Sequence, residues 1–470
     1  MIHRQQAGKG PILVKRTLPI LAVLVATFTL GTLPVRAQNR YIVRTNGGWA
    51  SVLNLCSFLG CHVQGSLDGN IGQTFLVTSS HNLVVNLTNF TVNLLDSLLG
   101  IQSIEPDTLL SIPAVSLNSI PAGLYDNALV NYYGALVTHG YAAQPAAQII
   151  RLTDAQQGFA VTGSGIVAVI DTGVDVNHPV LSPVLVPGYD FTRNQPGASE
   201  WLDVPQLNGQ TVSSNSGSNQ PVVVQQSSAA ILDQSSAAIL DNGDGSYAEF
   251  GHGTMTTGLV HLAAPTAKIL PLKAFSASGT GYLSNIVAAI YYAVAHNANI
   301  VNMSFDVAVP SPALSAAISY ANQQGLILVA AAGNEGTSSP VYPAALNSSV
   351  MGIASTTDWD ARSSYSNFGD TDVWIAAPGE YVISTFPGGS FAAASGTSFS
   401  SPLVAGSANL LMTAQPGLTQ SSAASAFAHA VQLTPDLNHG RLDVYQALSA
   451  CINNSGNNSG NNNRNNNGNN

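Results

Sequence analysis

Charge is scarce in this sequence. Only 8% of its 470 residues are charged, and 14 Lys and Arg stand against 24 Asp and Glu, for a formal net charge of −10. This balance leaves no basic patch for a polyanion, which argues against a nucleic-acid partner. The surface must therefore take its polarity from Ser, Asn, Gln and Thr.

Cysteine is scarce as well, with three residues in the chain. Cys56 and Cys61 are close in sequence and could pair in an oxidising compartment, which leaves Cys451 over. No spacing of a zinc site is present. A chain this long is not a disulfide scaffold, so its stability must come from a hydrophobic core.

Long apolar runs are few, and the first lies near the start of the chain. Basic residues up to Arg16 precede the run Leu18 to Leu33, and Val35-Arg36-Ala37 follows with small residues before a possible cut. We therefore predict a signal peptide over residues 1–37 and a secreted protein. An uncleaved anchor helix is the weaker alternative, because the run contains Pro19 and is short for a full span. No later segment is suited to crossing a bilayer, so no membrane contact is expected after signal removal.

The rest of the chain divides by composition. Residues 38–110 contain short alternating runs and predict a small α+β domain, and residues 111–150 read as a linker. Over residues 151–450, strand-like and helix-like runs alternate, which predicts a doubly wound, mostly parallel α/β sheet with helices on both faces. The predicted strands are Ile166 to Ile170, Lys268 to Leu272, Ile300 to Met303 and Leu326 to Ala331, and the predicted helices are Met255 to Leu262, Leu283 to His296 and Pro312 to Gln323.

Two stretches look like additions to this pattern. Residues 191–249 form a predicted surface insertion in which Gln226 to Asp233 is repeated at once as Gln234 to Asp241. A duplicated surface loop is the favoured interpretation, and a lid over a substrate site is the alternative. Residues 451–470 are almost entirely Asn, Gly and Ser from Asn453 on, so we expect a disordered tail.

Three separate motifs carry chemistry. Ser398 lies among small residues before an apolar run, Asp171 ends an apolar strand, and His252 stands between glycines ahead of an apolar helix. Serine, histidine and aspartate are the nucleophile, base and orienting acid of a hydrolase triad. Each has a structural alternative, as a helix cap, a buried histidine or a strand-end cap. With a histidine base of ordinary pKa, activity is expected to fall in acid with a midpoint of about pH 6 to 7.5.

The order Asp171, His252, Ser398 and the motifs around them resemble the subtilisin-like serine proteases, over roughly Gly158 to Leu448. The segment Ala330 to Gly336 is similar to the family segment that carries the oxyanion asparagine, here Asn334 after Gly333. The resemblance implies a serine endopeptidase that acts on peptides or proteins. It also implies that residues 38–110 are an inhibitory prodomain, with a plain N-terminal accessory domain as the alternative. Residues 111–150 would then hold the processing linker and the start of the mature chain. A catalytically silent secreted binding protein on the same fold is the alternative.

The resemblance extends to binding residues. Ser304 and Phe305 match the family strand that pairs with extended substrate, opposite a segment around Ser276 to Gly279. The family usually has glycine where Asp306 stands. A solvent-facing carboxylate is the favoured interpretation, and a charge in the specificity pocket that selects basic side chains is the alternative.

No cofactor is implied by the resemblance, and no metal site is predicted. The family often has a calcium-ligating aspartate where this chain has Val180. Calcium binding is therefore possible elsewhere, but not at that position.

Overall fold

A computed structural model describes residues 39–83, 96, 99–112, 121–204, 222–223, 229–231 and 247–460. The chain forms two compact units, one within Met1–Gly65 and Phe75–Pro106 and one within Ser66–Thr74 and Asp107–Asn470. The predicted signal peptide and most of the duplicated repeat lie outside the described residues.

The smaller unit is built on a four-stranded sheet and one helix. Its elements are β1 (Asn39–Thr45), α1 (Gly48–Leu59), β2 (Cys61–Ser66), β3 (Thr74–Ser79) and β4 (Ile101–Pro106), with strand order β2-β3-β1-β4. Helix α1 buries Val52 and Leu55 in a core that includes Phe75 and Val77 of β3. Cys56 and Cys61 form a disulfide across the turn from α1 into β2. This α+β composition is compatible with the predicted prodomain.

The larger unit is built on an eight-stranded sheet of order β10-β9-β13-β8-β15-β16-β17-β18. Only the pairing of β10 with β9 is antiparallel. These strands are β8 (Ile166–Asp171), β9 (Tyr189–Asp190), β10 (Gln195–Pro196), β13 (Lys268–Lys273), β15 (Ile300–Met303), β16 (Ile327–Ala331), β17 (Met351–Thr356) and β18 (Ile375–Pro378). Their central members are buried along their length, as expected for strands covered on both faces.

Short strands flank this sheet. They are β5 (Leu109–Ser111), β6 (Leu129–Tyr132), β7 (Ala135–Thr138), β11 (Val222–Val223), β12 (Ala229–Ile231), β14 (Thr280–Tyr282), β19 (Val382–Phe386) and β20 (Ser390–Ala394). They form three smaller sheets, with order β11-β12-β20-β19, β14-β5 and β6-β7.

The helices of the larger unit lie mainly between strands. They are α2 (His139–Ala142), α3 (Pro145–Ile149), α4 (Leu152–Gly158), α5 (His252–Ala263), α6 (Leu283–Ala295), α7 (Pro312–Gln323), α8 (Thr397–Ala414), α9 (Gln420–Phe427) and α10 (Val444–Gly460). Helices α5 and α8 are buried almost throughout and pack on each other. The doubly wound parallel sheet predicted from the sequence is confirmed.

The predicted insertion and tail differ from the structure at their edges. Residues 191–204 include β10 and a short 3-10 helix, Glu200–Asp203, whose Glu200 side chain is buried. That part of the insertion belongs to the packed domain. Helix α10 continues to Gly460, whereas the sequence predicts a disordered tail from Asn453 on. Residues 461–470 lie outside the described part of the chain.

Candidate active site

The strand-end aspartate and the helix-start histidine lie in contact. Asp171 is the last residue of β8, and His252 is the first residue of α5. The His252 ring nitrogen Nδ1 lies 2.7 Å from Asp171 Oδ1, and both side chains are buried. Asp171 also accepts hydrogen bonds from the Thr172 amide at 2.7 Å and the Thr256 hydroxyl at 3.0 Å. The carboxylate is thus held from several sides and fixes which ring nitrogen of His252 faces away from it.

A glycine permits this close approach of helix to strand. A Cβ added at Gly253 would lie 2.1 Å from the carbonyl oxygen of Gly173, which is far inside van der Waals contact. Gly253 is therefore a packing requirement of the site, and not only a flexible neighbour of His252.

Ser398 is the second residue of α8, where backbone N–H groups have no partner within the helix. The helix contains Pro402, which cannot donate to the carbonyl of Ser398 four residues earlier. Ser304, directly after β15, supplies the missing donor, since its hydroxyl lies 2.8 Å from the Ser398 carbonyl oxygen. This hydrogen bond thus joins the start of α8 to the end of the central strand β15.

The Ser398 hydroxyl donates to the carbonyl oxygen of Ser304 at 3.2 Å. The ring of the next residue, Phe399, lies with its centroid 5.2 Å from that of His252. Ser398 is therefore at the same end of the sheet as the Asp171–His252 pair. Hydroxyl groups rotate freely, and catalytic hydrogen bonds often tighten only when substrate is bound.

Asn334 lies beside the start of α8. Its Oδ1 accepts hydrogen bonds from both the backbone N–H and the hydroxyl of Thr397, each at 2.9 Å. With its oxygen held by Thr397, the amide NH₂ group points the other way. An added Cβ at Gly396 would lie 3.6 Å from this nitrogen.

Gly333 has φ +97°, and an added Cβ would lie 2.4 Å from Asn367 Nδ2 and 2.7 Å from Glu335 Oε2. Asn367 donates to Glu335 at 2.8 Å and accepts from the Glu335 and Thr337 amides, at 3.2 and 3.0 Å. Only glycine fits this bend, which holds the turn after β16 and so places Asn334.

The residues predicted for binding substrate behave differently from one another. Phe305 is buried, with its ring 5.3 Å from that of Phe275, so only its backbone could meet a ligand. Asp306 is only partly accessible, and burial together with the charges of Glu335 and Asp372 raises its pKa to about 7. This environment differs from the solvent-facing position favoured by the sequence analysis.

An extended segment of the chain already pairs with one wall of this region. Strand β5 runs antiparallel to β14, with Leu110 opposite Gly281, and the Ile112 amide donates to the Gly279 carbonyl at 2.9 Å. Asp107, just before β5, accepts from the amide and hydroxyl of Ser284 at the start of α6, both at 2.8 Å. The segment that pairs with β5 and Ile112 is therefore Gly279 to Tyr282, slightly beyond the predicted Ser276 to Gly279.

Sequence reasoning missed a buried carboxylate that joins the aspartate strand to the histidine helix. Glu200 Oε1 accepts from the Thr172 hydroxyl at 2.5 Å and from the Gly253 amide at 3.2 Å, and Oε2 accepts from the Thr254 hydroxyl. Burial raises the pKa of Glu200 to about 7, against the opposing effects of Thr172, Thr254 and the nearby Lys273. The one available signal was an acidic residue in a chain with very few charges.

A second buried carboxylate, Glu249, was also missed, because it too stands outside the motifs that the sequence shows. Its backbone carbonyl accepts from the His252 amide at 3.1 Å, and its side chain is 3% exposed. Burial raises its pKa to about 7.

The carboxylates of Asp171, Glu200 and Glu249 raise the pKa of His252. Burial disfavours its charged ring, but the charge and hydrogen bond of Asp171, with the charges of Glu249 and Glu200, outweigh this and raise the His252 pKa to about 9. The site is arranged to favour the imidazolium, the form that a general base takes after it accepts a proton.

Val180 is buried and offers no ligand atom from its side chain. Within the described ranges, no group of three or more His, Cys, Asp or Glu side chains could hold a metal ion. In the same part of the chain, no helix is both long and apolar enough to span a bilayer.

The chain is similar in sequence to a known protein family and to several known proteins. The Subtilase family (Peptidase S8) matches residues 163–467. Thermitase from Thermoactinomyces vulgaris is 32% identical over 305 residues, which cover 61% of this chain and 89% of that protein. A thermophilic serine proteinase from Bacillus sp. (strain AK1) is 34% identical over 245 residues, 52% of this chain and 51% of the relative, so the match spans about half of that protein. A solved structure of a cold adapted subtilisin-like serine proteinase matches with a TM-score of 0.46 and 27% identity, over 60% of this chain and 89% of that chain.

The family match covers more than half of the chain and includes the elements that carry Asp171, His252 and Ser398. The chain therefore belongs to the subtilase family of serine-type endopeptidases.

Proposed function

We propose that the chain is a secreted endopeptidase that cleaves peptide bonds through Asp171, His252 and Ser398. The observation that carries this proposal is the buried His252–Asp171 pair, 2.7 Å apart. The His252 ring lies 5.2 Å from that of Phe399, in the first turn of the helix that bears Ser398. His252 takes the proton of the Ser398 hydroxyl as that oxygen attacks the substrate carbonyl, and Asp171 stabilises the imidazolium. The acyl-enzyme is then released by water, with His252 again as base.

Asn334 is the proposed side-chain donor to the tetrahedral oxyanion, together with the backbone N–H of Ser398. Support comes from the orientation of the amide, since Thr397 donates to Oδ1 through both its backbone N–H and its hydroxyl. A donor fixed in advance stabilises the developing charge without reorganising.

Substrate is proposed to bind as an extended strand along Gly279 to Tyr282, with the backbone of Ser304 and Phe305 on the other side. The antiparallel pairing of β5 with β14 supports this binding mode within the chain itself. Such recognition reads the backbone and tolerates many side chains.

We also infer that residues 38–110 are an inhibitory prodomain of a precursor that processes itself. The segment that follows the small unit in sequence occupies the proposed substrate strand position up to Ile112. Cleavage within residues 111–150 would free the cleft, in accord with the predicted linker. Export by the signal at residues 1–37 fits the disulfide between Cys56 and Cys61, since such bonds persist in oxidising compartments.

The decisive test is the Ser398→Ala variant beside wild type. Wild type should react covalently at Ser398 with a fluorophosphonate and hydrolyse peptides. Ser398→Ala should do neither and should remain an unprocessed, folded precursor. Labelling at another residue would refute the nucleophile, and a folded wild-type chain that is processed yet neither labels nor hydrolyses would favour the silent binding protein.

A further inference from the structure

Glu249 is a buried carboxylate with an unused acceptor. Its side chain is 3% exposed, and among the described residues its Oε1 has no hydrogen-bond partner. Its backbone is fixed on both sides, because its amide donates to Ala277 at 2.8 Å and its carbonyl accepts from His252 at 3.1 Å. A buried acceptor without a partner is destabilising, and more so when the group is charged. A purely structural residue at this position would therefore be expected to have a partner.

The side chain lies against the substrate strand position. A Cβ added at Gly279 would lie 2.6 Å from Glu249 Cγ and 3.7 Å from Ile112 Cβ. The stem of Glu249 and the side chain of Ile112 thus approach the same face of Gly279. The Ile112 amide meanwhile donates to the Gly279 carbonyl, which fixes the register of the segment. An apolar side chain is therefore placed beside a carboxylate that needs a donor.

The apolar Ile112 can lie beside the Glu249 carboxylate because it belongs to the same chain. Residues 109–112 are tethered to the domain, so their high effective concentration keeps them in place without an optimal contact at every position. A free substrate has no such advantage and must gain its affinity from its own contacts. A cationic side chain would pair with the Glu249 carboxylate, and charge-assisted hydrogen bonds are the stronger kind. The buried cation Lys273 lies near the triad, but its Nζ donates to Asp203 and to the Thr172 and Phe275 carbonyls. The proposed partner of Glu249 is therefore a cation of the substrate.

We propose that Glu249 is a specificity-determining residue that selects a lysine or arginine at the substrate position now held by Ile112. This inference rests on the proposed peptidase function and names its preferred substrate class. It concerns a position different from that of Asp306.

The main test measures kcat/KM on a pair of p-nitroanilides, Leu-Leu-Ser-Xaa-Leu-p-nitroanilide, with Xaa as lysine or norleucine. The first three residues copy Leu109 to Ser111, and the leucine after Xaa stands in place of Pro113. Wild-type enzyme should prefer lysine about tenfold or more, the range of a hydrogen bond to a charged group. Glu249→Gln has nearly the same size without the charge and should bring the ratio to within about twofold of unity.

Glu200→Gln is the matched control. It removes another buried carboxylate beside the triad, but one whose oxygens accept hydrogen bonds from Thr172, Gly253 and Thr254. Its lysine-to-norleucine ratio should stay at the wild-type value even if its overall rate falls. A wild-type ratio near unity, or the same lysine preference in Glu249→Gln, would overturn the proposal.

A second measurement separates this proposal from the proposed activity, because it requires no catalysis. In the full-length Ser398→Ala chain, I112K should have a melting temperature about 2–4 °C above that of I112Q. The same comparison in the Glu249→Gln background should show no such difference. Equal melting temperatures with Glu249 present would refute the pairing, whether or not the wild-type enzyme hydrolyses peptides.

Discussion

At the scale of single residues, the clearest expectation concerns Asn334. Asn334→Ala should lower kcat with little change in KM, because the oxyanion exists only after attack. The corresponding loss in subtilisin, a member of the same family, is about 100- to 1,000-fold in kcat. Steady-state kinetics on one peptide substrate will separate the two constants. A change confined to KM would instead make Asn334 a ground-state binding residue.

The pH profile is the second expectation at this scale. A pKa of about 9 for His252 means that the neutral base is a minor form at pH 7, so kcat/KM should rise with pH toward a midpoint near 9. This value is above the midpoint expected from an ordinary histidine. Its cause is the set of carboxylates around the ring, two of which lie outside the motifs.

Charge removal tests that cause. Glu249→Gln and Glu200→Gln should each move the midpoint of the kcat/KM profile to lower pH, because each deletes a negative charge that favours the imidazolium. Asp154→Asn, a change at an exposed residue of α4, is the control and should leave the midpoint in place. Identical profiles in all four proteins would mean that Asp171 alone sets the pKa of His252.

At the scale of elements, Glu200 joins strand β8 to helix α5. Glu200→Gln retains one acceptor and should reduce kcat while the fold persists. Glu200→Ala leaves the Thr172 and Thr254 hydroxyls and the Gly253 amide without their shared acceptor, and should lower the free energy of unfolding by about 2–4 kcal/mol. Denaturant unfolding and kinetics on both variants check this order. If Glu200→Ala were as active and as stable as wild type, the contacts of Glu200 with β8 and α5 would contribute neither to catalysis nor to stability.

The same scale shows what the sequence could predict. The strand predicted over Ile300 to Met303 and the helix over Pro312 to Gln323 have those bounds in the structure. Both are regular apolar patterns with clear ends, and α7 begins at a serine cap followed by proline. Helix α5 begins at His252, three residues before its predicted start at Met255. The prediction started late because the glycines on either side of His252 are poor helix formers. Their tertiary role, the approach to Gly173, is invisible in local sequence.

The site was predictable to a similar degree and for a related reason. Asp171 and His252 stand in motifs with local signals, and the structure brings them together. Glu200 and Glu249 have no local motif. The importance of Glu200 comes from burial and from partners 28 to 54 positions away, and that of Glu249 comes from burial beside the cleft. Such long-range contacts can be read only from the fold.

At the scale of the whole molecule, the packed core ends within helix α10. Val444, Ala447, Leu448 and Cys451 of this helix are buried, and the Cys451 thiol lies 2.9 Å from Gln415 Oε1. Ile452 is already 40% exposed. Deletion of Asn453 to Asn470 should therefore leave turnover unchanged and the melting temperature within about 2 °C of wild type, because an Asn-rich, glycine-broken segment offers little apolar surface to bury.

Cys451→Ala in the full chain is the contrasting change. It removes a buried thiol and its contact, and should lower the melting temperature by several degrees, at about 2–4 °C per kcal/mol. Thermal unfolding of the two variants beside wild type tests where the core stops. If the deletion proved as destabilising as Cys451→Ala, the helical extension to Gly460 would be part of the folded domain and not a polar continuation of its last helix.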